Sequence, residues 1–394
     1  MRNIFSNIFS NTILRKSIIV LILSITAFSC AKKDVGTSLE QQNKEAITNY
    51  ANIVLATYED SYTSAVLMQQ KIDAFVALPT AQGLTDCKNA WLTARNVYGQ
   101  TEAFRFYAGP IDGDDGLEGY INAWPMDENA IDYVAGNANA GLINDAVNYP
   151  NITKKVILDL NEVASETSIF TGWHAVEFLL WGQDLSPTSA GTRPYTDFLT
   201  TNGTAQNQVR RKIYLKVVSD LLIEHLGIVR NAWKMGSVYR EGFVNNTDIP
   251  VVLGKIFTGI GSLCKGELSG QRMFAAVDSQ DQENEHSCFS DNTTNDIKMN
   301  FLGIKNVYLG AYTRIDGSKV TGKSFAEITQ TFDKTKADAV ITAFADVDAK
   351  INLIPLVFDQ AIINSPTKIL DAVQALRTCS DKLADASIVL KAKL

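Results

Sequence analysis

A histidine and a glutamate stand three residues apart in Gly172-Trp173-His174-Ala175-Val176-Glu177-Phe178-Leu179-Leu180-Trp181-Gly182-Gln183-Asp184. On a helix, positions i and i+3 share a face, so His174 and Glu177 point the same way. Trp173, Phe178, Leu180 and Trp181 surround them with bulky apolar surface. An ionisable pair in such surroundings is costly to bury without a partner. Imidazole and carboxylate both ligate borderline transition metals, so the spacing is that of a metal site. A buried His–Glu hydrogen bond that only fixes a helix produces the same pattern. A zincin site does not fit. It needs a Glu beside the first His and a second His at i+4, but Ala175 and Phe178 fill those positions. The only histidines are His174, His225 and His286. A three-histidine zinc site would have to draw all of them from distant segments. His225 lies beside Glu224 and Leu226 and reads as structural.

Two further stretches could meet this pair. Trp91, Arg95, Tyr98 and Glu102 fall on one stripe of a helix predicted over residues 85–106. Such a stripe can hydrogen-bond along itself. If it faces His174 and Glu177, Glu102 becomes a third oxygen ligand; otherwise its polar members face water. The other stretch, residues 281–296, is dense in polar side chains yet flanked by helical patterns, and Gln271-Arg272-Met273 lies just before it. Its Asp291-Asn292-Thr293 reads as a turn and helix N-cap. The acidic loop at residues 109–116 fails as an EF-hand. Counting from Asp112, Gly116 falls at a ligand position and Ala123 at the position of the bidentate Glu.

These side chains need helices to position them, and the pattern is helical throughout. Ile47, Ala51, Val54, Tyr58, Tyr62, Ala65, Ile72 and Val76 recur at steps of about three or four until Pro79. Pro125, followed by Asp127 and Glu128, predicts a helix N-terminus running through Ile131 and Tyr133 to about Gly136. Residues 151–164 and 205–233 read as further helices, the latter with Ile213, Val217, Leu221 and Ile228 as its buried stripe. Residues 249–277 are apolar and periodic, and helices resume over 297–308, 324–349 and 363–390. The Pro- and Gly-punctuated segment 186–202 is the linker candidate. The expected architecture is all-α, with two bundle-like halves, residues 41–200 and 201–394, around an interface cleft.

The chain has 394 residues, 46% apolar and 20% charged, with a formal net charge of −7. That is an ordinary globular composition, and it carries no basic surplus for a nucleic-acid partner. Arg2, Arg15 and Lys16 precede an apolar run at residues 17–28, too short to span a membrane and suited to a signal-peptide core. Cys30 follows a small residue, as at a bacterial lipoprotein cleavage site, although Ala27 stands where Leu is usual. The expectation is a signal peptide over 1–30, a lipidated Cys30 that anchors the chain to a membrane, and a tether over 31–40. Cys87, Cys264, Cys288 and Cys379 form no Cys-x-x-Cys pair, so neither a zinc ribbon nor a thioredoxin-like site is indicated.

Taken together, Gly172-Trp173-His174-Ala175-Val176-Glu177, the Trp91–Glu102 stripe and Glu285-His286-Ser287-Cys288-Phe289-Ser290-Asp291-Asn292-Thr293 resemble the imelysin family, also called peptidase M75, over residues 41–390. The first stretch matches that family's Gly-x-His-x-x-Glu. One departure is Thr294, where many members carry a His; this removes a possible ligand. The resemblance implies two helical bundle-like halves with the Gly-x-His-x-x-Glu helix lining a cleft between them. It also implies an exported, envelope-bound protein associated with iron acquisition, and metal binding through His174 and Glu177.

The expected site is therefore a metal, iron or zinc, held by His174, Glu177 and Glu102. Arg95, Tyr98 and Arg272 are the expected supporting or anion-binding groups. The expected role is an envelope lipoprotein that binds iron, another divalent metal or an iron complex, working with an iron-uptake system. The alternatives are a metal-dependent peptidase of the M75 type and a non-catalytic interaction lipoprotein.

Overall fold

The computed structural model describes residues 38–394. The signal peptide, Cys30 and most of the expected tether lie outside the described residues. Residues Gln42–Leu394 gather into one compact unit.

The first helix, α1 (Leu39–Ala77), buries Ile47, Ala51, Val54, Tyr58, Ala65 and Ile72 on one side, as its periodicity demands. Pro79 breaks the chain, and Thr80 caps the next helix, α2 (Ala81–Thr101), by accepting from the Gly83 N–H. Here the structure departs from expectation. The α-helix ends at Thr101, and Glu102 opens a single 3₁₀ turn, Glu102–Phe104. Residues 105–171 hold only short helical pieces. The helix expected after Pro125 is one 3₁₀ turn, Glu128–Ala130, capped by Asp127, and the one expected over 151–164 is confined to Lys154–Leu160.

Helix α3 (Gly172–Trp181) carries the His174 motif, and all of its residues are buried. It begins at Gly172 because the chain there has φ +83° and a Cβ would lie 2.4 Å from the Ile121 carbonyl oxygen, so only glycine fits. The segment expected as a linker is instead tied into the fold. Its Arg193 donates to Asp132 at 2.7 Å, and Arg193, Asp197 and Phe198 are buried. A buried ion pair cannot be released without leaving a bare charge.

Helix α4 (Gln208–Ala232) is turned relative to its expected stripe. Leu221 is buried, but Ile213 and Ile228 are exposed. Tyr214, Leu215, Val218, Leu222 and Leu226 face inward instead. Polar anchors set the rotation. Arg211 grips Asp132 at 2.6 and 2.8 Å, and the Tyr214 hydroxyl donates to the Phe170 carbonyl at 2.7 Å.

One continuous helical rod follows: α5 (Ile249–Ser262), then π-helical winding over Leu263–Phe274, then α-helix again over Ala275–Ser279. Helix α6 (Thr293–Leu309) lies along α2. The two backbones touch at Gly303, where a Cβ would lie 2.4 Å from the Gln100 carbonyl oxygen. A small antiparallel hairpin, β1 (Ala311–Thr313) with β2 (Lys319–Thr321), interrupts the helices; Tyr312 donates to Asp60 at 2.9 Å to hold it on α1. Helices α7 (Phe325–Phe332), α8 (Lys334–Ile351), α9 (Phe358–Asn364) and α10 (Pro366–Val389) complete the chain, with α10 packed on α8, on α5 and on the π-helical segment. The all-α class is as expected, the hairpin being the one sheet among the described residues. Cys87, Cys264, Cys288 and Cys379 are buried free thiols.

Candidate functional site

The two expected faces meet through aromatic packing. Trp91 Nε1 on α2 donates to the Trp173 carbonyl on α3 at 3.1 Å, and the Tyr98 ring packs 5.4 Å from the Trp173 ring. Behind this contact His174 Nδ1 and Glu177 Oε2 are 2.9 Å apart, and both residues are fully buried. Ser290 closes the other side of Glu177. Its N–H and hydroxyl donate to Glu177 Oε1 at 3.0 and 2.6 Å. Glu177 thus spends its oxygens on His174 and Ser290, while His174 Nε2 is buried without a partner. Burial lifts the Glu177 carboxyl to about 8, against the pull of Ser290. Burial, with Arg95 and His286 nearby, pushes His174 well below its ordinary value, so the imidazole is neutral.

The polar segment supplies a residue that spacing alone did not single out. The His286 ring stands edge-on to His174 with centroids 4.9 Å apart, and Trp124 covers His174 from another side at 4.8 Å. Arg95 Nη2 approaches His286 Nδ1 at 3.0 Å, and Arg95 donates through Nε and Nη2 to Asp296 Oδ2 at 3.1 and 3.0 Å. Asn122 accepts from Arg95 and stands 3.3 Å from Glu102 Oε1. Burial beside Arg272 and Arg95 drives His286 well below its usual value as well. The legible signal for His286 was a polar run closed in by helices. For Asn122 and Trp124 there was none, because they come from an irregular segment with no periodicity.

Glu102 belongs to the same network but is not held open toward His174. Arg272 Nη2 reaches Glu102 Oε2 at 2.6 Å and Arg105 Nη1 reaches it at 2.8 Å. These two guanidiniums outweigh burial and hold the Glu102 carboxyl far below the usual carboxylate range. Arg272 also pairs with Glu267 at 3.0 Å and donates to Asn300. Neither Arg95 nor Arg272 is left with an uncompensated charge, which weighs against the anion-binding role. Tyr98 stays a packing residue: its ring lies under Arg95, 5.4 Å from the guanidinium carbon, and burial keeps its hydroxyl protonated. His225 is buried against Tyr120, with ring centroids 5.4 Å apart, apart from this network.

A cleft of ≈ 760 Å³ opens over these groups, lined among others by Asn122, Trp124, His286, Arg105 and Arg272. The π-helical winding brings Glu267, Gln271 and Arg272 to its wall. Arg105 and Arg272 are neutralised by Glu102, Glu118 and Glu267. Glu162 and Glu166 remain at the rim, so the cleft favours a cationic visitor.

A helical fold with a buried Gly-x-His-x-x-Glu motif behind an acidic-rimmed cleft defines a class, and comparison supplies the family. The imelysin (peptidase M75) family model matches residues 54–383, so the chain belongs to the imelysin family. It is 26% identical over 284 residues to iron-regulated protein A of Synechococcus elongatus (strain ATCC 33912 / PCC 7942 / FACHB-805), an alignment covering 70% of this chain and 68% of that protein. A crystal structure from Parabacteroides distasonis ATCC 8503, of a candidate iron-regulated protein A precursor, shares the fold with TM-score 0.68 at 20% identity, over 90% of this chain and 97% of the other. An imelysin-like protein from Psychrobacter arcticum 273-4 does so with TM-score 0.61 at 16% identity, over 88% and 93%. Thr294, at the position of the family departure, is buried and donates to the Pro355 carbonyl at 2.8 Å.

Proposed function

We propose that this protein is an envelope-anchored binding protein for iron, or for an iron complex, which enters the cleft and is ligated by His174. The observation that carries the reading is His174 Nε2: buried, without a partner, and set behind the cleft wall formed by Trp124 and His286. A metal-ligating histidine characteristically gives its other ring nitrogen to a carboxylate, which fixes the tautomer. Glu177 stands in that position at 2.9 Å, so it supports the ligand rather than serving as one. Glu102 is likewise taken up, buried behind the cleft wall and paired with Arg272 and Arg105. The iron-regulated name of the Synechococcus relative favours iron over zinc. A bound metal would supply a Lewis-acidic centre. Ala175 and Phe178 stand where a His-Glu-x-x-His site would carry its general base and its second ligand, which favours binding over peptide hydrolysis.

The test is metal analysis and titration of the tag-free protein with ferrous and ferric iron at neutral pH. Wild type and His225→Ala should bind, and His174→Ala should not. Failure of wild type to bind iron in either form would sink the reading and leave His174–Glu177 as a structural pair. The anchoring half of the proposal rests on Cys30, the basic n-region and the apolar run. Cys30→Ser should release the protein from membranes, and an unmodified mature N-terminus elsewhere would refute it.

A further inference from the structure

The strongest unassigned feature lies outside the cleft network, where three segments bring carboxylates together. Asp184 follows the end of α3, Asp291 precedes α6, and Asp359 sits in the first turn of α9. Each offers an oxygen, and these oxygens all lie within 4.8 Å of one another. Asp184 and Asp359 are each 3% exposed, and Asp291 is half-buried. An acidic cluster alone is a weak sign, because such clusters are common on protein surfaces. A second observation makes this one different. Glu285, 0% exposed, faces Asp359 and Asp291, and although the Thr293 hydroxyl lies nearby, neither of its oxygens accepts a hydrogen bond of ordinary length and angle. Asp359 leaves both of its oxygens in the same condition, as do Asp184 with Oδ2 and Asp291 with Oδ1. Among the described residues no Lys or Arg forms an ion pair with any of the four. Buried charge of one sign needs a counter-ion or a proton.

We propose that Asp184, Asp291, Asp359 and Glu285 form an all-oxygen site for a hard divalent cation of the calcium class, separate from the His174 cleft. The donor set is carboxylate throughout, with no imidazole or thiolate to attract a softer metal. Calcium takes oxygen ligands at about 2.3–2.6 Å, so opposite ligands stand roughly 4.6–5.2 Å apart. The observed spread suits one calcium ion touching several of these carboxylates. Magnesium keeps several waters and shorter bonds of about 2.0–2.1 Å, and is poorly served by a dense carboxylate cage. A small cleft of ≈ 280 Å³ lined by Asp359, Gln282 and Pro187 gives an entry path.

The ion would pin three segments together. One of them is the stretch that carries His286 into the iron cleft and Ser290 onto Glu177. The site thus fixes the polar segment from its far side. The competing arrangement is a proton shared between Glu285 and Asp359, with no ion.

The full-length chain, stripped of metal with a chelator, is titrated with Ca²⁺ and with Mg²⁺ by calorimetry while its Tm is followed. One Ca²⁺ should bind per chain, more tightly than Mg²⁺, and raise Tm by several degrees. Asp359→Asn and Asp291→Asn should each weaken Ca²⁺ at least ~10-fold. His174→Ala should leave Ca²⁺ binding unchanged, which separates this site from the proposed iron site. No Ca²⁺ binding up to millimolar concentration, tighter binding of Mg²⁺, or Ca²⁺ binding indifferent to both Asp variants would overturn the proposal. A Tm that falls in Asp359→Asn while wild type ignores Ca²⁺ would establish the shared proton instead.

Discussion

Two buried acidic regions of this molecule have opposite electrostatics. In one kind, a buried carboxylate meets guanidinium groups. Glu102 lies between Arg272 and Arg105, Asp296 accepts from Arg95, and Asp132 lies between Arg193 and Arg211. In the other, Asp184, Asp291, Asp359 and Glu285 face one another without a basic partner. The carboxyls of Glu102 and Asp132 are held down by the arginines despite burial. Asp184 is pushed up to about 7 and Asp291 to about 6, with burial the main cause in each. Burial is common to both regions. What separates them is whether the fold supplies the compensating charge or leaves it to a ligand.

The largest expected effect comes from breaking the compensated side. Asp132→Ala would strand Arg193 and Arg211 in the interior, and should cost about 5 kcal/mol by urea denaturation, the upper end for a broken buried pair. Glu102→Gln keeps the shape and removes the charge facing Arg272 and Arg105; about 3 kcal/mol should be lost. A loss below about 1 kcal/mol in both variants would mean that these ion pairs contribute little net stability.

Acid titration sharpens the contrast through its sign. Glu102 and Asp132 have folded values below their unfolded ones, so their stabilisation is complete above the ordinary carboxylate range, about pH 4–5. It is lost as pH falls toward the folded values. The uncompensated cluster runs the other way. Asp184, Asp291 and Glu285 have folded values that are raised, so the folded state holds more protons between about pH 4 and the values near 6 and 7. Stability of the cation-free protein should therefore fall as pH rises through that window. Denaturation midpoints measured across pH 3–8 with chelator present should show both limbs, and a flat profile above pH 5 would remove the distinction.

The smallest effect is a change of sign. Asp359→Asn in chelator relieves like-charge repulsion and should stabilise the protein by on the order of 1 kcal/mol. The same kind of neutralisation at Glu102 destabilises it. If Asp359→Asn also destabilises the cation-free chain, the cluster is internally satisfied and the comparison fails.

Much of the fold was legible in the sequence because it is written in local period. The burial of Ile47, Ala51, Val54 and Tyr58 on α1 follows from their spacing, and so does the shared face of His174 and Glu177. The meeting of the Trp91–Tyr98 stripe with the motif helix was anticipated as one reading, since a face so rich in aromatic surface needs a partner. Period could not determine the roll of α4, where buried Arg211 and Tyr214 override the Ile213 stripe through partners far away in sequence. It could not see that Glu102 would leave the α-helix for a 3₁₀ turn, or that Arg105 and Arg272 would neutralise it. The side chains around His174 come from α3, from the irregular stretch holding Asn122 and Trp124, and from the segment holding His286 and Ser290. The carboxylate cluster likewise joins positions more than a hundred residues apart. A local pattern specifies which face of an element turns inward. Which distant charge meets that face, or fails to, is decided only when the elements pack.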